Sequence, residues 1–140
     1  MRRDKLSARL GSIMKAQEAA VRILLVEDEK EIAHIYRLKL SLDGYEVSVA
    51  EDGEEGLEKA TKEAPNLIFL DIKIPKMDGF EVLRKLRESS STKEIPILIL
   101  SNFDEQEMIE KGLSFGANEH LIKCQFTPEE ISAKVKYWVE

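Results

Sequence analysis

The sequence predicts an α/β domain on a five-stranded parallel sheet, with strands and helices alternating along residues 21–140. Two observations predict it. Leu67-Ile68-Phe69-Leu70 is apolar at every position, as a strand covered on both faces must be, and it ends in the carboxylate of Asp71. On either side of it, further short apolar runs alternate with segments whose apolar residues recur at helical spacing. Right-handed crossovers return the chain to the same edge each time, so the strands run parallel. The polar residues that follow them then gather at one rim, where open α/β sheets keep their chemistry.

A chain of 140 residues suits one domain with a sizeable core. Its 21 Lys and Arg against 27 Asp and Glu, net −6, argue against a broad electrostatic grip on nucleic acid or anionic lipid. The single cysteine, Cys124, has no partner for an internal disulfide and reads as a small, partly buried residue of a reducing compartment. The apolar run Ile97-Leu98-Ile99-Leu100 is far short of a membrane span, and Arg2-Arg3 is not followed by the apolar segment of an export signal. The expectation is a cytoplasmic protein that does not engage membranes.

Residues 1–20 stand apart. Leu6, Leu10, Ile13, Gln17 and Ala20 form an a/d seam of barely two heptads, too short for a coiled coil. They read as an amphipathic helix that docks on the domain or frays, the alternative being a homodimer or partner helix. Val21 to Val26 is the first strand, followed by Glu27-Asp28-Glu29; Ile32, Ile35, Leu38 and Leu42 then mark the inner side of a helix stopped by Asp43-Gly44. Tyr45 to Ala50 is the second strand. Asp52, with Glu55 three residues on, caps a helix with Leu57 and Ala60 inside, and Pro65 closes it.

After the Asp71 strand, Phe80, Val82, Leu83 and Leu86 form the apolar side of a third helix, which ends in Ser89-Ser90-Ser91-Thr92. Pro96 opens the strand Ile97 to Leu100, which delivers Ser101. Asp104 with Glu107 reads as the cap of a fourth helix with Met108, Ile109 and Leu113 inside, stopped near Phe115-Gly116. Asn118 to Ile122 is the last strand, leading to Lys123. Thr127-Pro128-Glu129-Glu130 combines a cap, a proline at the first helical position and a capping glutamate, opening a fifth helix with Ile131, Val135 and Trp138.

Glu27-Asp28, Asp71, the Met77-Asp78-Gly79 turn, Ser101 and Lys123 are each weak signals alone. Together, in this order at the ends of four strands, they closely resemble the receiver domain of two-component response regulators, over about residues 21–140. The resemblance implies a flavodoxin-like sheet of order 2-1-3-4-5. It implies that Asp71 is the phosphoacceptor for a phosphohistidine on a kinase or phosphotransfer protein, with Ser101 and Lys123 assisting. Mg2+ is the implied cofactor, held by Asp28 and Asp71, by Glu27 through water and by the backbone carbonyl of Lys73. The donor chemistry agrees, since clustered carboxylates repel one another unless a hard, oxygen-seeking cation lies among them.

The same resemblance makes Ser101 and His120 a switch pair. Both would turn toward the phosphoryl group and alter a surface of helix four, strand five and helix five that a downstream protein reads. His120 stands where the family usually has an aromatic ring, which makes pH sensitivity of this step conceivable. The family also has proline after the strand-five lysine, joined by a cis bond. Cys124 stands there instead, so a trans Lys123-Cys124 bond is expected. Lys73 and Phe103 flank the path of an attacking water in this family and would slow hydrolysis of the acyl phosphate. His34 is read as structural or exposed.

Other functions fit less well. A haloacid-dehalogenase-like phosphatase needs a second aspartate two residues beyond the first, and Lys73 occupies that place. A nucleotide- or flavin-binding protein needs a phosphate cradle where Glu27-Asp28-Glu29 would repel phosphate. The nearer rival is a pseudo-receiver, a docking module that keeps the acids but signals without phosphate. Because the sequence stops at the fifth helix, the expectation is a single-domain receiver or one cut from a longer chain.

Overall fold

The computed structural model describes residues 20–139; apart from Ala20, the helix expected over residues 1–20 lies outside them. Five strands alternate with five helices: β1 (Arg22–Val26), α1 (Lys30–Leu42), β2 (Glu46–Ala50), α2 (Gly53–Glu63), β3 (Leu67–Leu70), α3 (Gly79–Glu88), β4 (Ile97–Ser101), α4 (Gln106–Ser114), β5 (Glu119–Ile122) and α5 (Pro128–Val139), with a single 3-10 turn (Lys123–Gln125) after β5. All pairings are parallel and the order is β2-β1-β3-β4-β5. The order reverses between β1 and β3, and a crevice opens there at the carboxyl ends of the strands.

The alternation of side chains along each strand divides the core in two. Leu24, Val26, Ile68, Leu70, Ile97 and Ile99 meet α2 and α3 on one face, including Ala60, Val82, Leu83 and Leu86. Ile23, Leu25, Leu67, Phe69, Leu98 and Leu100 meet Ala33, Tyr36 and Leu40 of α1 and Ile131 and Val135 of α5 on the other. Two predicted caps form as read. Asp52 Oδ1 accepts from the Glu55 amide at 2.8 Å, and Thr127 and Glu130 exchange side-chain to backbone hydrogen bonds in both directions.

Two predicted apolar helix faces meet the core only in part, through Ile32 of α1 and Met108 of α4. On α1, Ile35, Leu38 and Leu42 are 52%, 52% and 75% exposed, while Ala33, Tyr36 and Leu40 face the sheet. Two stripes compete on this helix. The more apolar one loses because small Ala33 permits close approach to the sheet and the Tyr36 ring fills the space beside it. On α4, Leu113 is exposed and Gly112 is the buried residue, since a Cβ there would meet Ile99 Cδ1 at 2.4 Å. Its N-cap is Glu105, without a side-chain bond, rather than Asp104. Among the described residues no helix is long and apolar enough to cross a membrane.

Candidate functional site

The two acidic strand ends are set side by side by backbone pairing. Beyond β1, the Glu27 amide donates to Ala50 O at 2.9 Å, and the Asp71 amide donates to Val26 O at 3.1 Å. Behind Asp71 the Met77-Asp78-Gly79 turn folds back so closely that a Cβ at Gly79 would lie 2.3 Å from Asp71 O. That position therefore requires glycine. The turn ends as Asp78 Oδ1 accepts from the Glu81 amide and starts α3.

From β5 the buried Lys123 reaches across this rim. Its Nζ donates to Asp71 Oδ2 at 2.9 Å and to Glu27 Oε1. Asp71 Oδ1 accepts from the Ile72 amide at 2.7 Å, and Glu27 Oε2 accepts from the Glu29 amide at 3.2 Å. Carboxylate oxygens of Glu27, Asp28 and Asp71 lie within 4.8 Å of one another. Three acids and one ammonium leave a local excess of negative charge.

Burial pushes the Glu27 carboxyl up to about 7, against the pull of its hydrogen bond from Lys123 and with the charge of Asp71 adding to the rise. Burial pulls Lys123 down, but its bonds to Glu27 and Asp71 outweigh that and hold it above the usual lysine value. Burial likewise pushes up the phenol of Tyr36, which feels Lys123, Glu27 and Asp71 from beneath.

An open pocket of about 470 Å³ lies over Asp71, lined also by Asp28, Lys73, Ser101, Phe103 and Lys123. The structure thus brings Asp28, Asp71, Lys73, Ser101 and Lys123 to one place, with Glu27 beside it. His120 does not line this pocket. It is half-buried on β5, and its Nε2 donates to the Phe103 carbonyl at 2.8 Å. A carbonyl only accepts, so Nε2 carries the proton and the buried Nδ1 has no partner. Ser101 Oγ accepts from the Phe103 amide at 3.1 Å.

The backbone of Phe103 therefore joins the two switch candidates, an arrangement the sequence reading missed. No residue type signals it, because both bonds use main-chain atoms. Cys124 is exposed rather than partly buried, because the chain turns outward in the 3-10 turn. Among the described residues no peptide bond is cis, so Lys123-Cys124 is trans as expected. His34 is exposed.

Residues 23–136 match the family model of the response regulator receiver domain. The chain belongs to that family. The receiver domain is 43% identical over 115 residues to the alkaline phosphatase synthesis transcriptional regulatory protein PhoP of Bacillus subtilis, a match covering 82% of this chain and 47% of that protein. It is 34% identical over 134 residues to the transcriptional regulatory protein TrcR of Mycobacterium tuberculosis, covering 96% of this chain and 51% of the relative. It spans about half the length of these curated relatives.

Among solved structures, the receiver domain resembles the chemotaxis protein CheY4 of Vibrio cholerae with a TM-score of 0.79 and 34% identity, covering 85% of this chain and 98% of the other. It also resembles the BeF3-activated DrrB receiver domain, with a TM-score of 0.76 and 28% identity, covering 85% and 97%. Receiver domains are signalling modules rather than enzymes with a turned-over substrate. The hard oxygen donors of Glu27, Asp28 and Asp71 suit a divalent cation.

Proposed function

We propose that Asp71 accepts a phosphoryl group from a phosphohistidine on a partner kinase or phosphotransfer protein. A carboxylate oxygen of Asp71 forms the new P–O bond as the P–N bond breaks, and the electron pair returns to the donor's imidazole. The supporting observation is the placement of Asp71 at the floor of an accessible pocket, with the Lys123 ammonium on one of its oxygens and two more carboxylates within 4.8 Å.

Glu27, Asp28, Asp71 and the backbone carbonyl of Lys73 would hold Mg2+, whose charge, when bound, offsets that of the transferring phosphoryl group. Lys123 then orients the acceptor and donates to a phosphoryl oxygen, and the Ser101 hydroxyl does the same after leaving the Phe103 amide. Because Phe103 also holds His120, loss of the Ser101 bond frees the β4–α4 loop and the imidazole together. The altered α4, β5 and α5 surface is what a downstream protein would read. The transcriptional relatives suggest an output in gene regulation.

Acetyl phosphate with Mg2+ should add one phosphoryl group by intact mass. Beryllofluoride with Mg2+, the ligand of the DrrB relative, should shift the amide resonances of Ser101, Phe103 and His120. The rival is a pseudo-receiver, favoured by the way Lys123 pairs with both Glu27 and Asp71. No adduct and no shift would decide for the rival. Once an adduct forms, its lifetime tests Lys73 and Phe103, which line the approach to Asp71. Lys73→Asn and Phe103→Glu should each shorten it severalfold, measured as loss of phosphoprotein mass with time; unchanged lifetimes would leave these side chains without a role in excluding water.

A further inference from the structure

Between Asp71 and α3 the chain makes a loop, residues 72–78, that carries Lys73 along the edge of the pocket. Ile72 and Ile74 are buried in the core, and Lys73 between them is exposed. Two main-chain hydrogen bonds pin this loop on either side of Lys73. At its base the Gly79 amide donates to Ile72 O at 2.8 Å; nearer its tip the Gly53 amide, at the start of α2, donates to Pro75 O at 3.1 Å.

The second pin comes from a different part of the chain. A Cβ at Gly53 would overlap the Met77 carbonyl, so the tip of the loop rests on bare backbone. Lys76 Nζ lies 3.5 Å from Asp52 Oδ2. Lys76 has φ +69°, and the Met77 amide donates back to Pro75 O at 2.8 Å, a tight turn that a residue other than glycine keeps only where its surroundings hold it. The seat is itself firm. One turn along α2, a Cβ at Gly56 would stand 3.0 Å from Val26 Cγ2, so the first turn of this helix lies close against the residue before Glu27 as well as against the loop.

We infer that the Asp52-Gly53 corner of α2 is a positioning element of the phosphoacceptor site: it holds the main chain at Lys73 in place beside the Asp28 and Asp71 carboxylates and thereby sets the affinity of the site for Mg2+. This rests on the reading of those acids and the Lys73 carbonyl as cation ligands. Neither Asp52 nor Gly53 lines the pocket over Asp71, so their effect passes through the loop. A carbonyl ligand has no rotatable side chain, so it stands wherever the loop stands. Mg2+ tolerates little departure from octahedral geometry, and a displaced loop weakens binding even with every ligand residue present. Outer partners that orient a ligand are worth about 10–100-fold in metal affinity.

The test is calorimetric titration of the full chain with MgCl2, with amide spectra recorded in chelator. Gly53→Ala should push the loop off its seat, shift the Ile74 and Met77 amide resonances and weaken Mg2+ binding about tenfold, with Asp28 and Asp71 untouched. Lys76→Pro attacks the same contact from the loop at an exposed position, because proline cannot adopt φ +69°, and should weaken Mg2+ to a similar degree. Gly112→Ala, at a crowded glycine of α4 that meets Ile99, should lower thermal stability and leave Mg2+ affinity at the wild-type value. Wild-type Mg2+ affinity in Gly53→Ala, or in Lys76→Pro should Gly53→Ala not fold, overturns the inference and leaves the phosphoacceptor reading standing. Equal weakening by Gly112→Ala overturns it too, as an effect of lost stability alone. If the wild-type protein itself takes up no Mg2+, the inference falls together with the reading beneath it.

Discussion

Asp71→Asn is expected to take up no phosphoryl group from acetyl phosphate or from a phosphohistidine donor, while remaining folded. The amide lacks the anionic oxygen that would form the P–O bond. Of the neighbouring acids, Glu27 is 2% exposed and engaged by Lys123, and Asp28 lines the pocket without a bond from Lys123 to orient it. The fold survives because the substitution is nearly isosteric and removes one of the clustered acids. With the Asp71 charge gone, Glu27 loses the neighbour that helps push it up, so its carboxyl falls toward the ordinary value. Intact mass after treatment with donor and Mg2+ reads the first part, and a thermal melt reads the second. Phosphorylation of the variant at wild-type level would show that the acceptor lies elsewhere.

Lys123→Ala produces the largest loss of stability expected from one site residue. It strands Glu27 and Asp71 at the rim of the sheet without the ammonium they share. Removing one partner of a buried ion pair costs about 3–5 kcal/mol, because the remaining charge has lost its compensation. The loss depends on pH, and the sign follows from Glu27.

Its folded value of about 7 lies above the ordinary 4.5, so between those two pH values the folded state holds a proton that the unfolded state has released. Stability from this group is therefore highest at low pH and falls as pH rises from 4.5 to 7. Lys123 acts in the same sense, in a window at higher pH. Its raised value means its contribution is present below 10.5 and persists until the pH passes the folded value. Without Lys123 nothing among these groups offsets the ionised Glu27, so the variant should lose more stability at pH 8 than at pH 5 in chelator, with Mg2+ restoring part of the loss at pH 8. Urea denaturation at the two pH values, with and without Mg2+, measures this. Equal losses at both would mean that Glu27 and Asp71 do not share the ammonium.

Much of the site was legible in the residues because strand ends are marked chemically. An apolar run that stops at Asp71, another that stops at Ser101 and a third that stops at Lys123 can converge only if the strands are parallel, and helical segments between them require that. Caps at Asp52 and Thr127 were legible for the same local reason, since a cap is made within four residues. The link through Phe103 was not legible, because it uses backbone atoms whose direction depends on the path of the β4–α4 loop.

The sequence by itself determined the number and type of the elements, their parallel pairing and the identity of the polar groups at the strand ends, all of which follow from local periodicity and chain connectivity. Only the tertiary structure decided which stripe of α1 faces the sheet, that Gly112 rather than Leu113 meets Ile99, and that Lys123 serves Glu27 as well as Asp71. Those outcomes depend on the shapes of surfaces that meet from distant parts of the chain. Apolar periodicity records that a helix has an inner side, but the fit of Ala33 and Tyr36 against the sheet selects it.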